Sequence, residues 1–392
     1  MNPFFREYLD AEIDRHGTNC IKWDYLERTF GRADLTAAWV ADMDFRTAPT
    51  IQKALVERAQ NAIYGYTDAV CLDKQAECGW IQRRYGVKID PEWILFSAGV
   101  IDSLFFCVRA LTEPTDAILI QPPVYGPFYR AVNSFGRKLA LNRLIETEDG
   151  WKMDFDDMEK QFASGVKMMI LCSPHNPVGR VWSRDELSRV IALANRYGVI
   201  VIADEIHADF NMGVRPQTRI LDVEGADRCV MLTSATKSFN LAGLRQSSCI
   251  IRNAEMREKV FHEMQLAHAT DPNLFGSIAQ RTAYETGDEW MDAVVEYIRE
   301  NRDYVCAYLK ENLPEIKTHP QEGTYLLWLD MTALGMDHES LKKMLVDDAH
   351  VALSNGTDFG AEGDRHFRLN LASPRRNMER VMENLNKAIR SR

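Results

Sequence analysis

The stretch Val199-Ile-Val-Ile-Ala-Asp204 sets five apolar residues in a row against a single carboxylate. A strand with one wet face alternates apolar and polar residues. A run without a polar member belongs to a strand covered on both faces, as in a parallel sheet between helix layers. Comparable apolar runs occur at 94–96, 117–120, 168–172 and 229–232. Helical period intervenes, as at Ile101, Leu104, Phe105 and Val108, or after Ser183 with Glu186 three residues on, a capping box. This alternation predicts an α/β fold with a mostly parallel sheet. At 392 residues the chain exceeds one small core and calls for a large domain with a smaller one.

Composition narrows the function. Hydrophobic residues at 46% and charged residues at 27% fit an ordinary globular chain, and no apolar run approaches membrane-spanning length. The net charge of −10 argues against nucleic acid or an anionic membrane as the main partner. Eight cysteines lie scattered with no CxxC pair, and the N-terminus lacks a basic start followed by an apolar core. These features point to reduced cysteines in a cytoplasmic protein.

Chemistry concentrates where apolar runs end. The run from Cys229 closes in Thr233, Ser234 and Thr236, followed by Lys237 and, eight residues later, Arg245. The C-terminal end of a strand is where α/β folds place their sites. A lysine desolvated there can lose its proton and attack a carbonyl. Ser234 and Arg245 can each bind a phosphate. A strand turning at Ser97-Ala98-Gly99 into a helix offers free N–H groups from Gly99, Val100 and Ile101 for the same anion. Lysine with phosphate binders suggests pyridoxal phosphate. Asp204, one strand earlier and 33 residues before Lys237, is the carboxylate that would pair with a protonated pyridine nitrogen.

Other positions stay open on their residues alone. Tyr125, after Gln121-Pro-Pro, either stacks on a flat ring or packs against the prolines. Asn176, in Ser173-Pro-His-Asn-Pro-Val-Gly179, precedes a proline and is held extended in what is usually only a turn. The segment Ala38-Trp-Val-Ala-Asp-Met-Asp-Phe45 reads as a short strand running into Asp42 and Asp44, acids that would cap the next helix. Tyr64, in Tyr-Gly-Tyr-Thr67, could simply plug a core edge. Arg368, in His366-Phe-Arg-Leu-Asn370, either faces a site or lies at an exposed strand edge. Helical period is expected from about Thr282 to Asn312, a strand over 323–330 and a helix around 341–348.

Taken in order, these motifs resemble the fold-type I pyridoxal-phosphate enzymes of the class I/II aminotransferase superfamily, and within it the MalY/PatB group of C–S β-lyases. The resemblance rests on WVADMDF, YGYT, SPHNPVG, DEIHxD and the lysine stretch, and covers nearly the whole chain. It implies a seven-stranded-type sheet in a large domain over 46–285. A smaller α+β domain would come from both termini, 1–45 and 286–392.

By the same resemblance, Lys237 is the catalytic, cofactor-bearing lysine, and Tyr125 stacks on the cofactor ring. Asn176 bonds the phenolic oxygen, Asp204 the ring nitrogen, and Ser234 and Arg245 the phosphate. Tyr64 reaches the neighbour's phosphate across a homodimer with shared sites. Arg368, Asn176 and the backbone near Ala41 would receive the carboxylate of an amino-acid substrate. His207 stands where aminotransferases mostly carry tyrosine, as the lyase group does, and is expected near the cofactor. Arg245 lacks the glycine that usually follows it. The activity implied is α,β-elimination from L-cystathionine or a related cysteine S-conjugate. Transamination is the alternative, and a regulatory protein-binding role is a third reading.

Overall fold

The computed structural model describes residues 1–271 and 273–392. Its centre is a seven-stranded sheet: β1 (Ile94–Ser97), β2 (Ala117–Ile120), β3 (Lys138–Leu141), β4 (Val166–Cys172), β5 (Ile200–Asp204), β6 (Cys229–Thr233) and β7 (Ser247–Ile251). Their spatial order is β1-β7-β6-β5-β4-β2-β3. Every pairing is parallel except those of β7, which runs antiparallel to both β1 and β6.

The apolar runs have the cause the sequence suggests. Met168, Ile170, Ile202, Val230 and Leu232 pack into one core, and Met169, Leu171, Val201, Ala203 and Met231 into another. Successive residues of β4, β5 and β6 therefore enter opposite layers, so neither face tolerates a polar side chain.

Helices named below are α1 (Pro49–Asn61), α2 (Val70–Tyr85), α3 (Val100–Leu111), α4 (Arg184–Tyr197), α5 (Ala235–Ser238), α6 (Leu274–Thr286) and α7 (Asp288–Asn312). The α4 capping box forms as read: the Glu186 N–H donates to Ser183 Oγ and the Ser183 N–H to Glu186 Oε2. A second, antiparallel sheet joins β8 (Leu326–Asp330), β9 (Ser354–Asn355) and β10 (His366–Asn370) in the order β8-β10-β9. Thr36–Ala37 pairs in parallel with Val351–Ala352, which brings an early segment of the chain onto a late one.

Several expected elements differ. Residues 38–45 form no strand beyond Thr36–Ala37, because side chains take up carbonyls that a ladder would use. Asn370 Nδ2 donates to Val40 O and Asp42 O, and Trp39 O accepts from Ser354 Oγ and Arg368 Nη2. Asp44 caps no helix: Lys22 Nζ donates to it at 2.6 Å, Arg15 Nη1 at 2.8 Å and Trp23 Nε1 at 2.9 Å. The helical stretch expected over 282–312 is two helices, α6 and α7, meeting at Gly287. A Cβ there would strike the Phe239 ring and the Ala283 carbonyl. The 323–330 strand begins only at Leu326, after Thr324 adopts a φ of +64°. The expected 341–348 helix starts at His338 and loosens into a π turn over Met344–Asp348.

Candidate active site

The C-terminal ends of β4, β5 and β6 and the N-terminus of α3 surround a cavity of about 280 Å³. Ala41, Gly99, Val100, Ile101, Tyr125, Asn176, Asp204, His207, Lys237 and Arg245 all line it. These ten were singled out in the sequence, and the fold gathers them from stretches more than two hundred residues apart.

Lys237 sits in the short α5, where it follows β6 directly. Burial pushes its amine down to about 8, with Arg368 adding to the drop and Asp42 and Asp204 opposing it. The Nζ donates to Ala41 O at 2.5 Å. Asp204 closes β5, 4% exposed, and accepts one backbone hydrogen bond, from the Ile206 N–H at 3.1 Å. No salt bridge reaches it among the described residues. Burial raises its carboxyl to about 6. His207 is held neutral: burial lowers it well below the usual imidazole range, and the charges of Lys237 and Arg368 act the same way. Its Nδ1 is buried without a partner among the described residues, and its ring meets Tyr325 edge-on at 5.5 Å.

Ser234, Arg368 and Tyr64 lie outside the cavity lining. Ser234 Oγ donates to Gln246 O at 2.6 Å and accepts from the Thr236 N–H, so it anchors the turn, while Thr236 faces the cavity. Arg368 stands behind Asn176, its Nη1 donating to Asn176 Oδ1 at 2.9 Å and its Nη2 to Trp39 O and Ser354 Oγ. It is buried in its strand and not at an exposed edge, and its Nε has no partner among the described residues. Burial brings Arg368 down to about 10. Tyr64 is exposed, its hydroxyl donating to Ala59 O at 2.9 Å. Arg245 is mostly exposed beside Asp102, Nη2 to Oδ2 3.0 Å.

Sequence reasoning missed Thr236, Cys172 and Tyr325. The first two line the cavity, and the Tyr325 hydroxyl donates to Ala41 O at 2.8 Å. Thr236 was legible as a hydroxyl in the right cluster, but its phase against Ser234 depends on how the turn leaves β6.

The donor set fits pyridoxal phosphate. Among the described residues, a buried carboxylate without a salt bridge, an orphaned His207 nitrogen, a lysine amine and the uncapped N–H groups opening α3 stand around one cavity. Each matches one end of a protonated pyridine carrying an aldehyde and a phosphate.

Comparison with known proteins gives the same answer. Residues 35–385 match the family described as aminotransferase class I and II. The chain is 39% identical to cystathionine beta-lyase PatB of Bacillus subtilis (strain 168), over 92% of this chain and 94% of that one. It is 34% identical to protein MalY of Escherichia coli (strain K12), over 97% and 98%. The crystal structure of cystalysin from Treponema denticola, which contains a pyridoxal 5'-phosphate cofactor, superposes with a TM-score of 0.93 at 32% identity, over 97% and 98%. With its sheet order, its lysine cavity and these relatives in agreement, the chain belongs to the aminotransferase class I and II family, in the branch that contains PatB and MalY.

Proposed function

We propose that this protein is a pyridoxal-phosphate-dependent carbon–sulfur β-lyase that cleaves L-cystathionine or related cysteine S-conjugates to a thiol, pyruvate and ammonia. The observation that carries the reading is the Lys237 amine, lowered to about 8, sharing one cavity with the unpaired Asp204 carboxylate. Relatives named as cystathionine beta-lyase over nearly the full chain support the lyase outcome.

When bound, pyridoxal phosphate supplies a carbonyl that condenses with amines and a ring that accepts the electron pair released at Cα. The residues would divide the remaining work. Asp204 would accept a hydrogen bond from the ring N–H and keep that nitrogen protonated. The N–H groups of Val100 and Ile101 receive the phosphate at the α3 N-terminus, with the Arg245 charge nearby. Tyr125, which lines the cavity, would cover the ring. Asn176 has Nδ2 left to donate to the phenolic oxygen, since Oδ1 is engaged by Arg368. Arg368, behind Asn176 and with Nε unengaged among the described residues, would hold the substrate carboxylate, and Ala41 would bound that side. Lys237 would take the Cα proton as general base, allowing a thiolate to depart from Cβ. His207, neutral and edge-on to Tyr325, limits the cavity without adding charge.

We further infer a homodimer with shared sites, supported by the exposed apolar side chains Ile63, Tyr64 and Tyr66 in one short stretch of the chain. Residues 46–285 would form the larger unit, and 1–45 with 286–392 the smaller. Scattered cysteines support a cytoplasmic setting.

The test is the absorption spectrum, followed by L-cystathionine. A band near ~420 nm that is lost in Lys237→Ala, with pyruvate formed in the absence of any keto acid, is the expected result. Turnover only after a keto acid is added would make the protein an aminotransferase.

A further inference from the structure

α5 has four residues, too few to hold itself as a helix, so the position of Lys237 depends on what grips the turn around it. Three neighbouring side chains do so. Ser234 ties the turn's start to Gln246 O. Asn240 ties its exit to the 38–45 segment, Nδ2 donating to Met43 O and Phe45 O and Oδ1 accepting from the Met43 N–H. Ser238, fully buried and next to Lys237, donates its hydroxyl to Asp209 Oδ2.

Asp209 lies outside the active-site cavity and lines a separate hollow with Arg84, Tyr85 and Arg299. It is nevertheless heavily committed. Its Oδ1 accepts from the Tyr85 hydroxyl and from Trp80 Nε1 at 3.2 Å, both on α2, while Oδ2 takes Ser238. A carboxylate fits three converging donors because it is acceptor-only when ionised; an amide at the same place would point donors at donors. Arg84 and Arg219 provide the surrounding positive charge. Arg219 is also paired, Nε to Oε2 at 2.7 Å, with buried Glu205, the residue after Asp204. The backbone neighbours of the site's acid and of its amine thus enter one polar network.

We propose that Asp209 is a positioning residue that acts through Ser238 to fix the Lys237 amine between Ala41 O and Asp204. This rests on Lys237 carrying the cofactor. The link is one residue long on the Lys237 side and is braced by two α2 donors on the other. The charged groups facing the amine itself are Asp42, Asp204 and Arg368, none of which touches Asp209, so its influence runs through geometry.

Ser238→Ala, Asp209→Asn and the double variant test this in the cofactor-loaded full chain. Three readouts apply: melting temperature, the pH midpoint of the cofactor absorption band, and kcat against KM with L-cystathionine. Ser238→Ala removes the link alone and leaves Asp209 its two α2 donors. The expected result is a folded protein with KM within about twofold, kcat at least about ten-fold lower and the band midpoint moved by half a pH unit or more, of the order expected for a misplaced acid–base group. The double variant should move midpoint and kcat no further than Asp209→Asn. A folded Ser238→Ala with wild-type midpoint and kcat, or effects that add in the double variant, would overturn the proposal. A wild-type protein with no band would instead remove the reading of Lys237 beneath it.

Discussion

The Lys237 amine and the Ala41 carbonyl oxygen are 2.5 Å apart, although 196 positions separate them in the chain. That oxygen also accepts the Tyr325 hydroxyl, so a backbone atom of the early segment lies between two side chains of the site. The amine is therefore held in place by the backbone, and its proton affinity governs how it captures the cofactor.

Capture of pyridoxal phosphate should follow that affinity. Only the neutral amine attacks a carbonyl, and Lys237 is lowered to about 8 from 10.5. The rate at which the cofactor-free chain acquires its absorption band should rise about ten-fold per unit below pH 8 and level off above it. Stopped-flow absorbance from about pH 6 to about pH 10 checks this. A rate that climbs without levelling until about pH 10 would show an amine of ordinary basicity.

Asp204 should make the empty site sensitive to pH in the opposite sense to most paired carboxylates. Its folded value, about 6, lies above the usual 3.8, so the folded chain favours the protonated form. The stability this group contributes is full below about pH 4 and is lost as pH rises through about 6, a difference of about 3 kcal/mol. The cofactor-free wild type should therefore melt progressively lower than Asp204→Asn between pH 4 and 8. Added pyridoxal phosphate should restore the wild type more than the variant. Parallel melting curves with pH would show that this carboxylate is not destabilised in the fold.

Arg368→Ala is expected to separate substrate from cofactor. The arginine's two Nη atoms already hold Asn176, Trp39 O and Ser354, and its Nε alone is unengaged. Losing a charge-assisted hydrogen bond from Nε to a carboxylate costs about 1.5–3 kcal/mol, which reads as a KM higher by roughly ten-fold to more than a hundred-fold. The absorption band should persist. Steady-state kinetics beside a spectrum decides it, and a lost band would place Arg368 at the cofactor.

Gly287→Ala should destabilise the fold without touching the chemistry. The new methyl would meet Phe239, whose ring already stacks on Trp290 at 5.3 Å, and the Ala283 carbonyl. Overpacking of this kind costs about 1–3 kcal/mol. Urea unfolding should show that loss, with KM for L-cystathionine unchanged in the protein that remains folded.

What could be read in the sequence was what is local. Asp204 and Lys237 each end an apolar run, and the period of those runs is set by burial on both faces of β5 and β6, so the two residues and their strands were found together. The split at Gly287 was hidden because its cause is Phe239, 48 positions away. Residues 38–45 looked like a strand because their apolar pattern is that of a buried extended segment. Their carbonyls are met by Asn370, Arg368, Ser354, Lys237 and Tyr325, partners that no pattern within eight residues announces. Which of the hydroxyls of Ser234 and Thr236 lines the cavity likewise depends on a distant partner, Gln246 O, to which Ser234 Oγ donates.

The pairing of Thr36–Ala37 with Val351–Ala352, and the grip of Asn370 on the carbonyls of Val40 and Asp42, carry a consequence for biosynthesis. The segment that presents Ala41 O to Lys237 leaves the ribosome early and, apart from Asn240 and Lys237 themselves, finds its later partners Val351–Ala352 and Asn370 only near the end of translation. The large sheet, complete by Ile251, can form well before then. A nascent chain thus spends the last third of its synthesis with the lysine and the cavity-lining residues already made, but with the Val40 and Asp42 carbonyls still without the Asn370 amide that fixes them.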